Sequence, residues 1–373
     1  MLVLKSLSLA LLLPFAQAGK PRCFDFSLPI HVSLPITQFN ISPFEDNYES
    51  IGLLVKSVGR TANASELIAG QYNLDQSYNI SFRYCEPSRR STKNGAIQVL
   101  THGLGFDKAY WDFSAEYSYI TSATSAGYAT LSYDRLGVGH STHANPYLDV
   151  QASTHVAILA QISALIQSGS LSLRIPTPTK IVHVGHSFGS LVVNSLVAKS
   201  PHLADAVILT GFGHDFSWSA NFQLCWGFEI AELNNPRRFA GYDSGYLTWG
   251  DEFDNQCAAF TYPYFDPRIL RKAESTKAPF AIAELLSFGI TEVVAPGFTG
   301  PVLILNGEQD LSFCGGDCHG VLDAPDSPSS SVFPNASLLA AYIHPNAGHA
   351  VNLHRNATGA YGVIFNFLKG NGM

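Results

Sequence analysis

The chain has 373 residues, of which 46% are hydrophobic and 14% are charged, with a formal net charge of −7 at pH 7. This length and composition support a large buried core, arranged either as about two domains or as one α/β unit with insertions. The negative charge, with no basic run longer than Arg89-Arg90, argues against nucleic acid as a partner.

Residues 1–18 have the pattern of a secretory signal peptide. A positive start ending at Lys5 precedes an apolar run, Leu7 to Phe15, and small residues follow at Ala16-Gln17-Ala18. The apolar run is too short to cross a bilayer, so we expect cleavage rather than a stable membrane anchor. The last residues, 367–373, resemble neither a GPI signal nor a retention signal. The sequence therefore predicts a secreted, extracellular protein.

Glycosylation sequons and cysteines fit export. The candidate glycosylation sites are Asn40, Asn63, Asn79, Asn335 and Asn356. The chain has six cysteines, an even set that predicts disulfides in an oxidising compartment. Proximity along the chain favours the pairs Cys23–Cys85, Cys225–Cys257 and Cys314–Cys318. The alternative for Cys314, Cys318 and His319 is a metal site, but in an exported chain we predict no metal.

The hydrophobic pattern alternates between strand and helix along most of the chain. In chain order it predicts edge strands within 26–41, an antiparallel strand at 77–84, a strand at 96–101, a helix at 110–127, a strand at 130–133, a helix at 150–167, a strand at 181–184, a helix at 191–199, strands at 206–210, 301–306 and 339–343, and a helix at 357–368. Near-continuous apolar strands predict a mostly parallel sheet covered on both faces.

One segment, residues 215–296, interrupts the alternation and shows no clear strand. We interpret it as a helical insertion, a cap, between the two parts of the core, residues 19–214 and 297–373. Its aromatic residues are Trp218, Phe222, Trp226, Phe228, Tyr246, Trp249, Phe253, Tyr262, Tyr264 and Phe265. We expect most of them to form the insertion's own core and a few to face a pocket above the strand ends.

The centre of the sequence is Gly185-His186-Ser187-Phe188-Gly189, between a predicted strand and a predicted helix. Strand, tight turn and helix around a serine in Gly-x-Ser-x-Gly is the context of a nucleophile elbow. The glycines are needed because side chains at 185 or 189 would collide with the neighbouring strand or helix. We therefore predict Ser187 as a nucleophile.

A serine nucleophile needs a base within hydrogen-bonding reach and a third group that orients the base. In elbow enzymes these follow the serine in the order acid, then histidine. Asp310 follows the strand at 301–306, and His349 follows the strand at 339–343. Both fall on loops at the same sheet edge as Ser187, so we predict a triad of Ser187, His349 and Asp310.

Other histidines fit the base less well. His344 is too close to its strand end, and His354 begins or precedes the final helix. His183 and His186 lie in or beside the elbow and cannot easily reach the hydroxyl of Ser187. Position therefore favours His349.

Three other acids compete with Asp310. Glu308 comes early in its loop, and Asp317 lies inside the expected Cys314–Cys318 disulfide loop. Asp215 is the serious alternative, because an acid after the preceding strand can also reach the histidine.

Backbone amides at two positions are candidates for an oxyanion hole. Phe188 supplies the first, directly after Ser187. The second is expected in the loop at 102–105, at Leu104 first and at Gly103 second. A glycine-containing loop at 134–141 lacks the Lys-Ser/Thr ending of a P-loop, so we interpret it as structural, with Asp134 and Arg135 paired internally.

Taken together, these motifs resemble the α/β-hydrolase superfamily over nearly all of the mature chain. The residues that carry the resemblance are His102-Gly103, Asp134-Arg135 with Gly137-x-Gly139-x-Ser141, Gly185-x-Ser187-x-Gly189, Asp310 and Gly348-His349. Two further motifs, Gly105-Phe106-Asp107-x-x-Tyr110-Trp111 and Gly348-His349-x-x-Asn352-x-His354, are similar to those of secreted hydrolases of filamentous fungi. Leu136 departs from the family, which usually has glycine after the arginine.

The resemblance implies an eight-stranded, mostly parallel sheet, a cap after the sixth strand and serine-ester chemistry without a cofactor. We predict a secreted carboxylic ester hydrolase whose substrate is a small-molecule or lipid-like ester with an apolar group. Lipase, lactonase, peptidase, thioesterase and acyltransferase activities share the same machinery. A non-catalytic binding protein on a hydrolase scaffold is a further alternative, which labelling by a fluorophosphonate distinguishes. The sequence indicates no oligomeric state.

Overall fold

The computed structural model of the chain describes residues 2–3, 20–59, 64–87 and 95–373. Residues 1 and 4–18 of the predicted signal peptide and the sequon at Asn63 lie outside the described residues. In the described part of the chain, no helix combines the length and the apolar character that crossing a membrane requires.

The strands fall into one large sheet and two small ones. In chain order they are β1 (Leu2–Val3), β2 (Arg22–Phe39), β3 (Ile68–Glu86), β4 (Ala96–Thr101), β5 (Asp112–Ser114), β6 (Tyr117–Ser118), β7 (Ala129–Tyr133), β8 (Lys180–His186), β9 (Ala206–Thr210), β10 (Glu229–Ile230), β11 (Tyr246–Thr248), β12 (Phe280–Ala281), β13 (Val302–Gly307) and β14 (Leu339–His344). The large sheet has the order β1-β14-β13-β9-β8-β4-β7-β3-β2.

Helices cover the sheet and fill the insertion. They are α1 (Asn47–Val58), α2 (Tyr119–Ser125), α3 (Ala152–Gln167), α4 (Phe188–Lys199), α5 (Ser219–Trp226), α6 (Ala231–Asn234), α7 (Glu252–Ala259), α8 (Pro267–Thr276), α9 (Ile282–Phe288), α10 (Leu311–Cys314), α11 (Ser329–Val332) and α12 (Ala357–Gly370).

The predicted fold class is confirmed. Apart from the two-residue β1, the large sheet has eight strands, and every pair among them is parallel except β2–β3 and β3–β7. The central strands β8, β9 and β13 are buried along almost their whole length. Burial on both faces explains why these strands are near-continuous apolar runs rather than alternating ones.

Parallel strands place the ends of β8, β13 and β14 at one edge of the sheet. The segments that carry Ser187, Asp310 and His349 begin at that edge. The fold thus brings together three residues that are far apart in the sequence.

The structure differs from the predicted helix over 110–127. A 3₁₀ turn at Lys108–Trp111 and the hairpin of β5 and β6 come first, and α2 begins only at Tyr119. The hydroxyl oxygen of Ser118 accepts a hydrogen bond from the N–H of Thr121 and so caps the helix start. Trp111 and Phe113 are buried in the core, so their apolar character reflects tertiary packing rather than one face of a helix.

The insertion also contains strands, which the sequence did not indicate. Besides α5 to α9, it holds the antiparallel sheet β10-β11-β12. These strands have two or three residues each, which is too short for an alternating pattern to be recognised.

Candidate active site

Ser187 occupies a strained turn between β8 and α4. Its backbone dihedrals are φ 53° and ψ −122°, a conformation that residues with a side chain rarely adopt. Neighbouring backbone leaves no room for side chains on either side of it. A Cβ at Gly185 would lie 2.5 Å from the Cα of Ser190, and one at Gly189 would lie 2.1 Å from the carbonyl oxygen of Thr101. The two glycines therefore allow the close contacts that hold the serine in this conformation.

A continuous chain of hydrogen bonds links the three predicted triad residues. Nε2 of His349 lies 2.8 Å from Oγ of Ser187, and Nδ1 of His349 lies 2.9 Å from Oδ2 of Asp310. Asp310 is fully buried and His349 is 4% exposed, while Ser187 is partly exposed. The backbone N–H of Phe313 donates to Oδ1 of Asp310, which holds the carboxylate from its other side.

The competing residues have other partners. His183 contacts Ser163 and the carbonyl of Leu203, and His344 contacts the carbonyl of Asn356. Among the acids, Glu308 accepts from the N–H of Asn346, Asp317 from that of His319, and Asp215 from that of Ser217.

His186 adjoins Ser187 in sequence, but its ring has other partners. Its Nδ1 lies 3.2 Å from Oγ1 of Thr210, and its ring stacks on Tyr110 at 4.5 Å. Burial and the neighbouring His349 hold the pKa of His186 well below its usual value. A neutral His186 adds no positive charge beside the ring of His349.

His354 supports the loop that carries His349. Its Nε2 accepts hydrogen bonds from the backbone N–H groups of Gly348 and Thr261, at 3.1 and 3.0 Å. Burial lowers the pKa of His354 to about 4, so the ring remains a neutral acceptor. The sequence alone did not assign this role to His354. The pattern that contains it is Gly348-His349-x-x-Asn352-x-His354, in which His354 follows His349 by five residues.

The predicted oxyanion donors line the same cavity as the serine. A cavity of about 160 Å³ is bounded by Ser187, Leu104 and Phe188 together with residues of the insertion. Within the described residues, the N–H groups of Leu104 and Phe188 have no protein acceptor. These two amides are therefore available to an oxygen atom of a bound substrate.

Arg135 and Glu284 form a buried ion pair that joins the core to the insertion. Both side chains are almost fully buried, and His155 hydrogen-bonds to the same carboxylate at 2.8 Å. Burial tends to raise the pKa of Glu284, but the charge of Arg135 and the bond from His155 outweigh it, so the pKa lies below its usual value. Asp134 pairs with Lys108 at 2.6 Å. Asp134 and Arg135, which we expected to be paired internally, thus each form an ion pair with a residue outside the loop at 134–141.

Phe222, one of the aromatic residues of the segment 215–296, lies beside Ser187 and His349. The ring of Phe222 is 5.2 Å from the ring of His349 and lines the Ser187 cavity. Trp226 packs against both Phe228 and Trp249 inside the insertion. The sequence did not single out several other residues of this cavity wall, which are Phe216, Ser219, Gln223, Leu285, Phe288, Ser312 and Phe313.

The cysteines form the three pairs that proximity favoured. Disulfides join Cys23 to Cys85, Cys225 to Cys257, and Cys314 to Cys318. In this arrangement the sulfurs of Cys314 and Cys318 are bonded to each other and are not free to hold a metal. In the described residues, no cluster of three or more His, Cys, Asp or Glu side chains suits a metal ion.

Four of the five predicted sequons can be located. Asn40, Asn79 and Asn335 are exposed, and Asn356 is half-buried. The side-chain amide of Asn335 donates to the carbonyl of Pro296, and that of Asn356 donates to the carbonyl of Pro345. Glycosylation of these residues stays a prediction.

Comparison with known proteins identifies a family. The sequence profile of the alpha/beta hydrolase family matches residues 98–359, which is most of the chain. No curated protein matches the chain.

Solved structures share the fold at low sequence identity. A thermophilic esterase from Thermogutta terrifontis aligns with a TM-score of 0.50 and 14% identity, covering 80% of this chain and 95% of the esterase chain. An enol-lactonase from Burkholderia xenovorans LB400 aligns with a TM-score of 0.50 and 18% identity, covering 78% of this chain and 97% of the lactonase chain. A mutant epoxide hydrolase from Vigna radiata aligns with a TM-score of 0.52 and 13% identity, covering 79% of this chain and 96% of the epoxide hydrolase chain. At these identities the likeness shows the fold alone.

Proposed function

Because the chain belongs to the alpha/beta hydrolase family, we propose that it cleaves carboxylic esters through Ser187, His349 and Asp310. One observation carries this proposal. The hydrogen bonds from Ser187 to His349 and from His349 to Asp310 have the geometry that activates a serine hydroxyl. The family membership by itself supports a hydrolase and no particular substrate.

The first half of the reaction forms an acyl-enzyme. Oγ of Ser187 attacks the ester carbonyl carbon while Nε2 of His349 takes the hydroxyl proton. Asp310 keeps the proton on Nδ1 and stabilises the imidazolium that forms. The N–H groups of Phe188 and Leu104 donate to the carbonyl oxygen as it becomes negative. The C–O bond to the alcohol then breaks, and His349 passes its proton to the leaving oxygen.

The second half returns the enzyme to its starting state. A water molecule attacks the acyl carbon, and Nε2 of His349 takes one of its protons. The tetrahedral intermediate collapses, the bond from Oγ to the acyl carbon breaks, and Oγ of Ser187 recovers the proton from His349. The sum is ester plus water giving acid plus alcohol, and the scheme includes no cofactor.

The residues around Ser187 favour an ester with an apolar group. Phe216, Phe222 and Phe288 line the cavity on the side of the insertion. We propose that residues 215–296 act as a cap over the core formed by residues 19–214 and 297–373. Structural neighbours include an esterase and an enol-lactonase, whose names fit hydrolysis of an ester bond. Another neighbour is an epoxide hydrolase, but that reaction would need an aspartate where this chain has Ser187.

We also propose that the protein is secreted. Support comes from the signal-peptide pattern of residues 1–18, from the sequons and from the three disulfides, which persist in oxidising compartments. Mass spectrometry of the protein recovered from culture medium tests this directly. We expect an N-terminus at Gly19 and glycan on at least one of the exposed sequons, and an uncleaved N-terminus would contradict the proposal.

A p-nitrophenyl ester assay with a covalent probe tests the ester hydrolase proposal. We expect the protein to hydrolyse at least one ester of the series and a fluorophosphonate to label Ser187. The Ser187→Ala variant should lose both labelling and at least about 10⁴-fold in kcat. Labelling without turnover would point to a narrower substrate, such as a lactone. A folded protein that shows neither labelling nor turnover would favour the binding-protein alternative.

A further inference from the structure

A second cavity lies beside the one that contains Ser187. Its volume is about 380 Å³. Its wall has an apolar part, formed by Leu53, Leu54, Phe228, Leu247, Ile282 and Leu286, and a polar part, to which Ser50, Lys56, Ser57 and Glu66 belong. Leu53 and Leu54 belong to α1, which lies outside the stretch that matches the family profile, residues 98–359. This cavity therefore depends on a part of the chain that the family match does not cover.

The two cavities share part of their walls. Gln223, Leu285 and Gly289 line both of them. On α9, Phe288 lines only the cavity of Ser187, whereas Ile282 and Leu286 line only the second one. Leu285 and Gly289 at the end of α9 and Gln223 of α5 therefore lie between the two cavities, and we call these three residues the junction.

The wall formed by α1 is held in place by specific contacts. The side-chain oxygen of Asn47, at the start of α1, accepts a hydrogen bond of 2.8 Å from the N–H of Ile230 in β10. Just before the helix, the N–H of Phe44 donates to the hydroxyl of Tyr147 at 2.7 Å. These bonds attach α1 to the insertion and to the core, so the cavity is part of the folded structure.

The cavity around Ser187 is small for a ligand site. Ligand pockets for small molecules usually measure about 300–1,000 Å³. The cavity around Ser187 is smaller than that range, whereas the second cavity falls inside it by itself. A compact substrate fills the first cavity, whereas a longer one needs a second space for the part that does not react.

We propose that the second cavity binds an extended hydrocarbon chain of the ester substrate. The ester carbonyl lies at Ser187, and the chain passes Gln223, Leu285 and Gly289 to reach the space under α1. This inference rests on the ester hydrolysis proposed above and assigns the substrate class as esters with a long aliphatic acyl or alcohol group. The apolar part of the wall binds the chain by excluding it from water, and each CH₂ group buried there increases binding by about fourfold.

Two ester series measured below their solubility limits test this assignment. One series keeps p-nitrophenol and lengthens the acyl chain, and the other keeps an acetyl group and lengthens the alcohol. We expect kcat/KM to rise with chain length in one series, which identifies the part of the ester that occupies the second cavity.

A variant with a bulky residue at Gly289, in the junction, provides the structural control. No heavy atom lies within 4 Å of a Cβ built at Gly289, and its φ of −75° suits any residue, so Gly289→Leu introduces its side chain without a backbone clash. We expect the ratio of kcat/KM for long over short esters to fall at least tenfold in this variant. Gly52→Leu is the matched change, because Gly52 is equally unobstructed but lines neither cavity, and its ratio should stay within twofold of wild type. Leu286→Trp narrows only the second cavity and should move the optimum to shorter chains.

The results separate this inference from the proposed function. Ser187-dependent hydrolysis that is insensitive to chain length, or equal ratios in the Gly289→Leu and Gly52→Leu variants, would overturn the chain-binding cavity alone. A protein that hydrolyses no ester and takes no label on Ser187 would overturn both.

Discussion

The guanidinium of Arg135 donates a hydrogen bond from Nη2 to the carbonyl oxygen of Gly103, at 3.2 Å. The same oxygen lies 2.8 Å from Nδ1 of His102, whose Nε2 accepts from the backbone N–H of Arg135. The carbonyl of Gly103 and the N–H of Leu104 belong to one planar peptide group, so orienting the first also orients the second. Arg135 therefore positions the amide that we propose as an oxyanion donor.

Removing Arg135 should lower turnover through this peptide group. Loss of a whole oxyanion donor costs about 10²–10³ in kcat, so a donor that is only less well oriented should cost at least about tenfold. Arg135→Met alone leaves Glu284 buried without its charge partner, which we expect to destabilise the protein by about 3–5 kcal/mol.

The double variant Arg135→Met/Glu284→Gln separates the two effects. It removes both charges, so most of the stability in urea denaturation should return while kcat for a soluble ester stays low and KM changes little. Full recovery of kcat in the double variant would mean that Arg135 acts only through stability.

Asp310 should be essential for turnover, and Asp215 should not. In Asp310→Asn the side chain no longer stabilises the imidazolium of His349 or holds its proton on Nδ1, so we expect kcat to fall by about 10³–10⁴. Asp215 hydrogen-bonds the N–H of Ser217, so Asp215→Asn should stay within about threefold of wild type. Steady-state kinetics with one p-nitrophenyl ester compares the kcat values of the two variants with that of wild type. Equal losses in the two variants would contradict the assignment of the acid.

The glycine after the nucleophile should tolerate no side chain. A Cβ at Gly189 would lie 2.1 and 2.6 Å from the carbonyl oxygens of Thr101 and His102, which are backbone atoms of the neighbouring strand and loop. We expect Gly189→Ala to lose at least about 3 kcal/mol of unfolding free energy in urea. Gly362 of α12 is the matched control, because its Cβ would meet no atom within 4 Å. The unfolding free energy of Gly362→Ala should rise by about 0.5–1 kcal/mol. Similar losses of unfolding free energy in both variants would refute the steric argument.

Buried histidines should make the protein less stable in acid. Burial lowers the pKa values of His183, His214 and His354 to about 4, from an ordinary value of 6.5. Between these two pH values the unfolded chain binds protons that the folded chain does not, so stability is full above pH 6.5 and falls as the pH drops to 4. One pKa unit corresponds to about 1.4 kcal/mol, so each histidine contributes up to about 3 kcal/mol to this loss.

Urea denaturation of the disulfide-intact protein at several pH values between 7 and 4 measures this loss. In His214→Gln the unfolding free energy should depend less steeply on pH, because a neutral amide does not titrate in the folded or the unfolded state. The exposed His202 is the control, and His202→Gln should leave the dependence unchanged. Parallel curves for wild type and His214→Gln would rule out a contribution from His214.

Much of the fold and of the candidate site could be predicted from local patterns. The strands β8, β9 and β13 are apolar because both of their faces are buried, and such runs can be recognised without a structure. Gly185 and Gly189 could be recognised from the motif, because side chains there would collide with backbone of the turn and of the neighbouring strand. Asp310 and His349 could be chosen because each follows a parallel strand, and parallel strands end at one edge.

Other features were decided only by contacts between distant segments. Glu284 could not be assigned as the partner of Arg135, because 149 residues separate them and no short-range pattern connects the two. The strands of the insertion are too short to show a period, and the apolar residues between 110 and 118 pack into the core instead of forming a helix. The second cavity is bounded by α1, α9 and the segment around Phe228, which are far apart in the chain. Local sequence thus specifies which residues a turn or a buried strand requires, whereas the shape of the space beside Ser187 depends on how those segments pack.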